Sequence, residues 1–489
     1  MRREKSPFGR SRPGLGERIV WLLVGLIVLR TWVIEGFPVP CRVTGGSMAC
    51  TLLGEHCQLT CPDCGYPLVC QLGDPADDRR AVCPNCGYAF DVAEAPLELA
   101  GDRVLVDRTA WVFAEPRRWE VVAFRHPSAR GGLAVKRVAG LPGELIQVRA
   151  GDVYVDGKIQ RKTLRQQRAV RVLVYDADFR PRLEPAPPAR WYGRTEASGW
   201  ERVGGRLAHD AGPADRPIDW LVYGHWRRGG RPGEVVATPI TDVCGYNQDR
   251  PRREEAVRPV RDVMLSFRIA DTLGRGLLWL WATDGWEQFA VRVDPQGGSY
   301  TVLHSVAARQ GKGQGKGTVP FSSDENRDSP QVIAAGKLPS ALNGMTLEVS
   351  LFDQQFLLAM NGRPVAVWPY DRPDGAPPPP AEPLAIGSQG LGVVLQSLRV
   401  WRDVYYASPL DEVAAANLEK GFRLGGDEYF VLGDNSPISE DSRTWPEART
   451  VAANMLIGRP ILVIFPVGEF AWGGQHIQVP ELGQIRYIR

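Results

Sequence analysis

Three short segments carry residue types that can perform nucleophilic and acid–base chemistry. They are Gly45-Gly46-Ser47-Met48-Ala49-Cys50-Thr51-Leu52, Leu133-Ala134-Val135-Lys136-Arg137-Val138-Ala139, and Gly433-Asp434-Asn435-Ser436-Pro437-Ile438-Ser439-Glu440-Asp441-Ser442-Arg443. A serine hydroxyl is a weak nucleophile until a neighbouring base takes its proton. A lysine serves as that base only if its pKa falls far below about 10.4. Burial among apolar groups lowers it, because desolvation penalises the ammonium form. Residues 133–139 read as a strand, which puts Ala134, Lys136 and Val138 on one face and sends Arg137 to the other, toward water or a carboxylate. Gly45 and Gly46 permit unusual backbone angles and close approach of a substrate strand, and the Ser47 N–H is positioned to hold an oxyanion. Gly433, Asp434 and Asn435 open a turn after the strand expected at 428–432. Ser439 can orient the lysine amine, and Asp441 with Arg443 can form an ion pair that fixes the loop. Taken singly, Gly-Gly-Ser reads as a loop and a strand lysine as a surface charge. The order and spacing of the three segments favour a Ser/Lys site.

The elements that must position these residues are expected to be mainly β. The 489 residues are too many for one core and imply two to four domains. Hydrophobic residues at 44% and charged residues at 24% are ordinary for a globular chain, and a formal charge of +3 gives no argument for a nucleic-acid partner. The 40 prolines and 53 glycines favour turns and long loops, and the 15 tryptophans chiefly imply core packing. Residues 1–18 form a basic tail (Arg2, Arg3, Lys5, Arg10, Arg12, Arg18), and an apolar run follows from Ile19 to Leu29. A cleaved signal peptide lacks a small-x-small site here, and a lipoprotein site at Cys41 is disfavoured by Pro40. An uncleaved anchor over 19–36 fits better, with Arg30 snorkelling and Trp32 at the interface. The positive-inside rule would then keep the N-terminus cytoplasmic and export the rest.

Four of the nine cysteines form Cys61-Pro62-Asp63-Cys64-Gly65 and Cys83-Pro84-Asn85-Cys86-Gly87. Two C-x2-C knuckles eighteen residues apart are the pattern of a zinc ribbon, with four thiolates around a structural ion and no open position for catalysis. Disulfides are the alternative in an exported segment. Between about residues 162 and 418 the chain shows strand-like runs at 262–269, 287–294, 299–306, 346–351, 356–368 and 392–406, with Asn361-Gly362 as a hairpin turn. Such density argues for a β-sandwich. Lys312 and Lys316 lie in a Gly-rich loop, and 377–380 is a proline run.

The serine, lysine and Gly-Asp-Asn segments, following an apolar N-terminal stretch, resemble a type I signal peptidase. The resemblance covers about 19–60, 97–165 and 425–467, including Gly101-Asp102-Arg103-Val104-Leu105-Val106. It implies Ser47 as nucleophile, Lys136 as general base, Ser439 as lysine support, Asp441 and Arg443 as structural residues, and Met48 packed near the substrate. It also implies a β catalytic domain that needs no cofactor. The expected substrates are exported preproteins with small residues at the first and third positions before the cut, bound by strand addition. Two positions depart from the family. Gly45 replaces a frequent serine that assists the oxyanion, and Cys50 replaces a usual proline. The segments 199–207 and 399–406 resemble concanavalin-type jelly rolls, which leaves a carbohydrate or protein ligand open for that domain. The expected architecture is a cytoplasmic tail (1–18), a transmembrane anchor in the inner-membrane bilayer (19–36), and a discontinuous catalytic domain (37–60, 97–170, 410–489). A zinc-ribbon-like insert (61–96) and a sandwich insert (190–407) interrupt it. Two rival readings fit part of this pattern: an exported binding protein on a decayed peptidase scaffold, and a self-cleaving regulator of the Ser/Lys class. The intact Ser47, Lys136 and 433–443 set disfavours the first. The lack of a DNA-binding segment before Ser47 disfavours the second.

Overall fold

The computed structural model describes residues 14–29, 37–71, 80–92, 98–112, 114–127, 132–231, 233–248, 257–306, 330–408, 412–445, 449–465, 467–472, 475–480, 483 and 485–488. The chain is mainly β. One eight-stranded antiparallel sheet runs in the order Pro38–Arg42, Arg103–Asp107, Leu456–Phe465, Val121–Arg125, Leu133–Gly140, Glu428–Leu432, Val451–Ala452, with Arg486–Tyr487 beside Leu456–Phe465. A four-stranded sheet (Lys158–Ile159, Asp152–Val155, Leu145–Arg149, Phe422–Arg423) accompanies it. Leu133–Gly140 lies between Val121–Arg125 and Glu428–Leu432, so segments nearly three hundred residues apart are hydrogen-bonded neighbours. One apolar cluster joins Val122, Phe124, Val138, Tyr429 and Val431, and another joins Ala139, Ile146, Val148, Phe430 and Leu432. Because both faces of this strand are covered, Arg137 does not reach water: it is 0% exposed.

The long insertion forms a two-layered sandwich. One layer runs Trp200–Val203, Arg206–His209, Gly392–Arg402, Val263–Leu273, Thr346–Ser350, Gln355–Met360, Arg363–Pro369, with Val172–Asp176 also paired to Gly392–Arg402. The other runs Trp191–Gly193, Asp219–Tyr223, Leu384–Gln389, Leu277–Thr283, Glu287–Asp294, Ser299–Val306, Gln331–Lys337. Leu265, Phe267, Leu280, Val291, Phe356 and Ile386 meet in their shared core. Asn361 and Gly362 both adopt positive φ (49° and 76°) between Gln355–Met360 and Arg363–Pro369, as a two-residue hairpin turn requires. Lys312 and Lys316 lie outside the described residues.

The N-terminal apolar run forms a helix over Leu15–Val28, starting earlier than expected. Its 14 residues extend only about 21 Å, against a hydrocarbon thickness of about 30 Å. No helix among the described residues is long and apolar enough to cross a membrane, so the span expected at 19–36 is not found there. Arg30, Trp32 and the rest of 30–36 lie outside the described residues.

Candidate active site

The three segments singled out from sequence converge. Ser47 sits in a single 3-10 turn, Gly46–Met48, and is half-buried. Lys136 lies on Leu133–Gly140 opposite Val122 and is only 4% exposed. Its Nζ lies 3.0 Å from Ser439 Oγ. Burial pushes the amine down to about 8, and Arg443 adds to the fall, while the carboxylates of Asp441, Asp434 and Glu440 oppose it. No hydrogen bond joins Ser47 Oγ to Lys136 Nζ among the described residues. Catalytic hydrogen bonds commonly tighten only once substrate is bound.

The loop after Glu428–Leu432 holds the serine turn by its backbone. Asn435 N–H donates to the Ser47 carbonyl at 3.0 Å, and Asn435 Nδ2 donates to the Gly46 carbonyl at 3.0 Å. Gly433 lies at the closest approach, since a Cβ there would stand 2.6 Å from the Ser47 carbonyl oxygen and would clash with Ser439 Oγ. The glycine is therefore required by proximity rather than by a left-handed turn. Asp441 accepts from Gly433 N–H at 2.9 Å and pairs with Arg443 through Nε at 2.9 Å and Nη2 at 2.8 Å. Burial alone would raise the Asp441 carboxyl, but Arg443 and Lys136 hold it below the usual carboxylate range. Arg443 Nη1 also donates to the carbonyl of Ala407 and to Ser436 Oγ, both at 2.7 Å, which fixes the loop against the end of the sandwich. Asp434 takes Arg137 Nε at 2.8 Å and Nη2 at 2.6 Å, and accepts from Thr51 Oγ1 at 2.5 Å. This carboxylate thereby ties the lysine strand to the serine segment.

Other expected residues land elsewhere. Met48 is 1% exposed and packs with Leu52, Val104, Val106 and Val121, so it supports the turn from the core. Gly46 is approached by the protein itself: a Cβ there would lie 2.6 Å from Tyr246 Cε1 and 3.1 Å from Gln71 Oε1. Gly45 is exposed and open, with nothing within 4 Å of a Cβ. The Cys50 thiol, hydrogen-bonded to Cys244, is pushed well above its usual value, which argues against a thiolate nucleophile there. Sequence reasoning missed the strap at 244–248. Asn247 exchanges amide hydrogen bonds with Asn435 at 2.9 and 2.7 Å, and Tyr246 O–H donates to the Glu55 carbonyl at 2.9 Å. Gln71 N–H donates to the Tyr246 carbonyl at 2.8 Å, and Gln248 Nε2 donates to the Val82 carbonyl at 3.1 Å. The strap thus links the cysteine module to the serine turn.

In that module Cys61, Cys64, Cys83 and Cys86 are buried, with ligand atoms all within 4.8 Å of one another. Cys61 Sγ and Cys86 Sγ lie 3.7 Å apart, and Cys64 Sγ and Cys83 Sγ 3.6 Å. Four sulfurs at about 2.3 Å from a tetrahedral zinc would be separated by roughly 3.8 Å, so this donor set fits such an ion. All four cysteines are free, against the disulfide alternative. Gly65 and Gly87 take positive φ (75° and 69°) in the two knuckles, and their N–H groups donate to the carbonyls of Cys61 and Cys83 at 2.9 Å.

Comparison with known proteins finds a family likeness over one part of the chain. Residues 93–186 match the family model described as signal peptidase, peptidase S26. The chain is 33% identical over 63 residues to a probable signal peptidase I-2 of Synechocystis sp. (strain ATCC 27184 / PCC 6803 / Kazusa), and 35% identical over 65 residues to a signal peptidase I of Leptolyngbya laminosa. Each match covers 12% of this chain and 29% or 32% of the relative, so the chain spans about a third of the length of these curated relatives. Among solved structures, a carbohydrate binding module, CBM66, from Bacillus subtilis is 12% identical with TM-score 0.25, covering 43% of this chain and 95% of that one. A GlcNAcα1-4Gal-releasing endo-β-galactosidase from Clostridium perfringens is 9% identical with TM-score 0.27, covering 66% and 90%. Residues 93–186, Lys136 among them, are thus the part of the chain that is similar to the signal peptidase family, peptidase S26.

Proposed function

We propose that this chain is a membrane-anchored serine endopeptidase that removes signal peptides from exported preproteins on the outer side of the cytoplasmic membrane. The observation that carries the reading is the Lys136 amine, buried, lowered to about 8 and oriented by Ser439 beside the Ser47 turn. In this reading neutral Lys136 takes the proton of Ser47 Oγ as that oxygen attacks the scissile carbonyl. The Ser47 N–H stabilises the oxyanion, and the lysine then protonates the leaving amine. Water repeats the sequence on the acyl-enzyme. The substrate lies extended along the site edge, with the small residues at the first and third positions that the family resemblance implies. The test is cleavage of a preprotein in detergent. Alanines at those two positions should give a single cut at the leader junction, and leucines there should abolish it. Equal cutting of both would contradict the substrate class.

Gly45 stands where the family often has a serine hydroxyl for the oxyanion, and its surroundings admit a side chain. Gly45→Ser is expected to raise kcat by about tenfold or more, given that one oxyanion donor is worth about 10²–10³ in other hydrolases. An unchanged or lower kcat would show that another donor already fills that role.

Structural zinc at Cys61, Cys64, Cys83 and Cys86 completes the proposal. It would hold the knuckles against the strap at 244–248. Mass-spectrometric metal analysis should find one zinc per chain, lost in Cys64→Ser. A zinc-free wild type would refute the assignment.

A further inference from the structure

A second cluster of acidic groups lies apart from both the candidate active site and the cysteines. Asp152 opens Asp152–Val155 in the four-stranded sheet, Asp262 precedes Val263–Leu273 in the sandwich, and Asp353 occupies the turn between Thr346–Ser350 and Gln355–Met360. One carboxylate oxygen of each lies within 4.8 Å of the others, and all three residues are buried. Carboxylates held this close and out of water repel unless a cation lies among them or a proton neutralises one; burial, then Asp353, pushes Asp152 up to about 7. One cation, Lys162, already serves Asp353, whose Oδ2 also accepts the Lys162 N–H at 3.0 Å, and the others are largely committed elsewhere. Lys162 Nζ bonds Asp353 Oδ1 at 2.6 Å and Asp403 Oδ2 at 2.7 Å. Arg372 Nη1 bonds Asp284 Oδ2 at 3.0 Å, and Arg261 donates to the carbonyls of Asp284 and Ala376. Asp262 Oδ2 accepts the Asp353 N–H at 2.7 Å.

The independent observation is Asp152. It is only 8% exposed, and no direct hydrogen bond or ion pair joins its carboxylate to another described residue, although Arg372 and Lys162 lie near enough to favour its charge. It lines, with Asp262 and Asp403, a cavity of about 590 Å³ where sandwich and peptidase body meet. A buried carboxyl is paired, protonated or bound to a metal as a rule, and the cavity gives a cation access to this one.

We propose that Asp152, Asp262 and Asp353 bind one hard divalent cation of the calcium type, which fastens the sandwich to the body. Hard cations take carboxylate oxygens, and calcium tolerates the irregular geometry of ligands drawn from three separate segments, with waters from the cavity completing its shell. Magnesium demands a near-ideal octahedron that such a set does not promise.

The test uses the full chain in detergent, stripped with EGTA and equilibrated with radiolabelled calcium alone, its zinc content being monitored throughout. One calcium per chain is expected. Asp152→Asn should weaken binding by about tenfold or more, and Asp152→Asn with Asp262→Asn should abolish it. Thermal melting gives a second readout, independent of peptidase activity. In EGTA, Asp152→Asn should melt no lower than wild type, because it relieves repulsion and breaks no hydrogen bond. In calcium the order should reverse. Absence of bound calcium in the wild type, unchanged affinity in the double variant, magnesium binding of equal strength, or an Asp152→Asn melt below wild type in EGTA would each overturn the assignment.

Discussion

Ser47→Ala and Lys136→Ala should each lower preprotein cleavage by about 10⁴-fold, and the double variant should fall little further. Residues that act as one unit lose nearly everything at the first deletion. The lysine substitution leaves Ser439 without its 3.0 Å partner but removes no apolar packing on the scale of a core residue, so folding should survive it. Wild-type activity should depend on pH in a defined sense. The working form of Lys136 is the neutral amine, so kcat/KM should rise with pH and reach half its plateau near the lowered value of about 8. A solvated lysine would place that midpoint two units higher. Cleavage that is unchanged in either single variant would end the peptidase reading.

Arg137→Ala should cost about 3–5 kcal/mol of stability, because it strands the Asp434 carboxylate in the interior without a counter-charge. The two side chains are 1% and 2% exposed, and the guanidinium also satisfies the Trp119 carbonyl at 2.7 Å. Asp434 in turn holds Thr51, so the loss should reach the serine segment as well. Equilibrium urea unfolding measures the effect. Replacing both partners with leucine should recover part of it, since the desolvated charge is then removed along with its partner. A loss below about 1 kcal/mol for Arg137→Ala would mean that the pair is hydrated and is not the buried clamp described above.

Much of this was readable from residue order alone, for physical reasons that also explain the rest. Glu287–Asp294 and Ser299–Val306 alternate apolar and polar side chains and form strands over those bounds. Asn361-Gly362 marks its turn because only such residues adopt positive φ cheaply. Leu277–Thr283 and Leu384–Gln389, central in their layer, were not legible, since strands covered on both sides lose the alternation that betrays an edge or a half-buried face. The same covering misled the reading of Arg137: period-two logic sent it to the opposite face correctly, but nothing local revealed that a second layer lies there. The carboxylate partner alternative was the one realised, in Asp434. Tyr246 and Asn247 carry no motif, and their contacts with Gly46 and Asn435 are made by a strap that only the tertiary fold brings in. The core packing of Met48 with Leu52, Val104, Val106 and Val121 carries no sequence signal of its own, because those partners come from separate segments.

The most direct measurement is the titration of the Lys136 amine by heteronuclear NMR on protein labelled with ¹⁵N-lysine, the signal being assigned by its disappearance in Lys136→Arg. A midpoint near 8 is the predicted result. A midpoint near 10.4, the value of a lysine in water, would contradict the account.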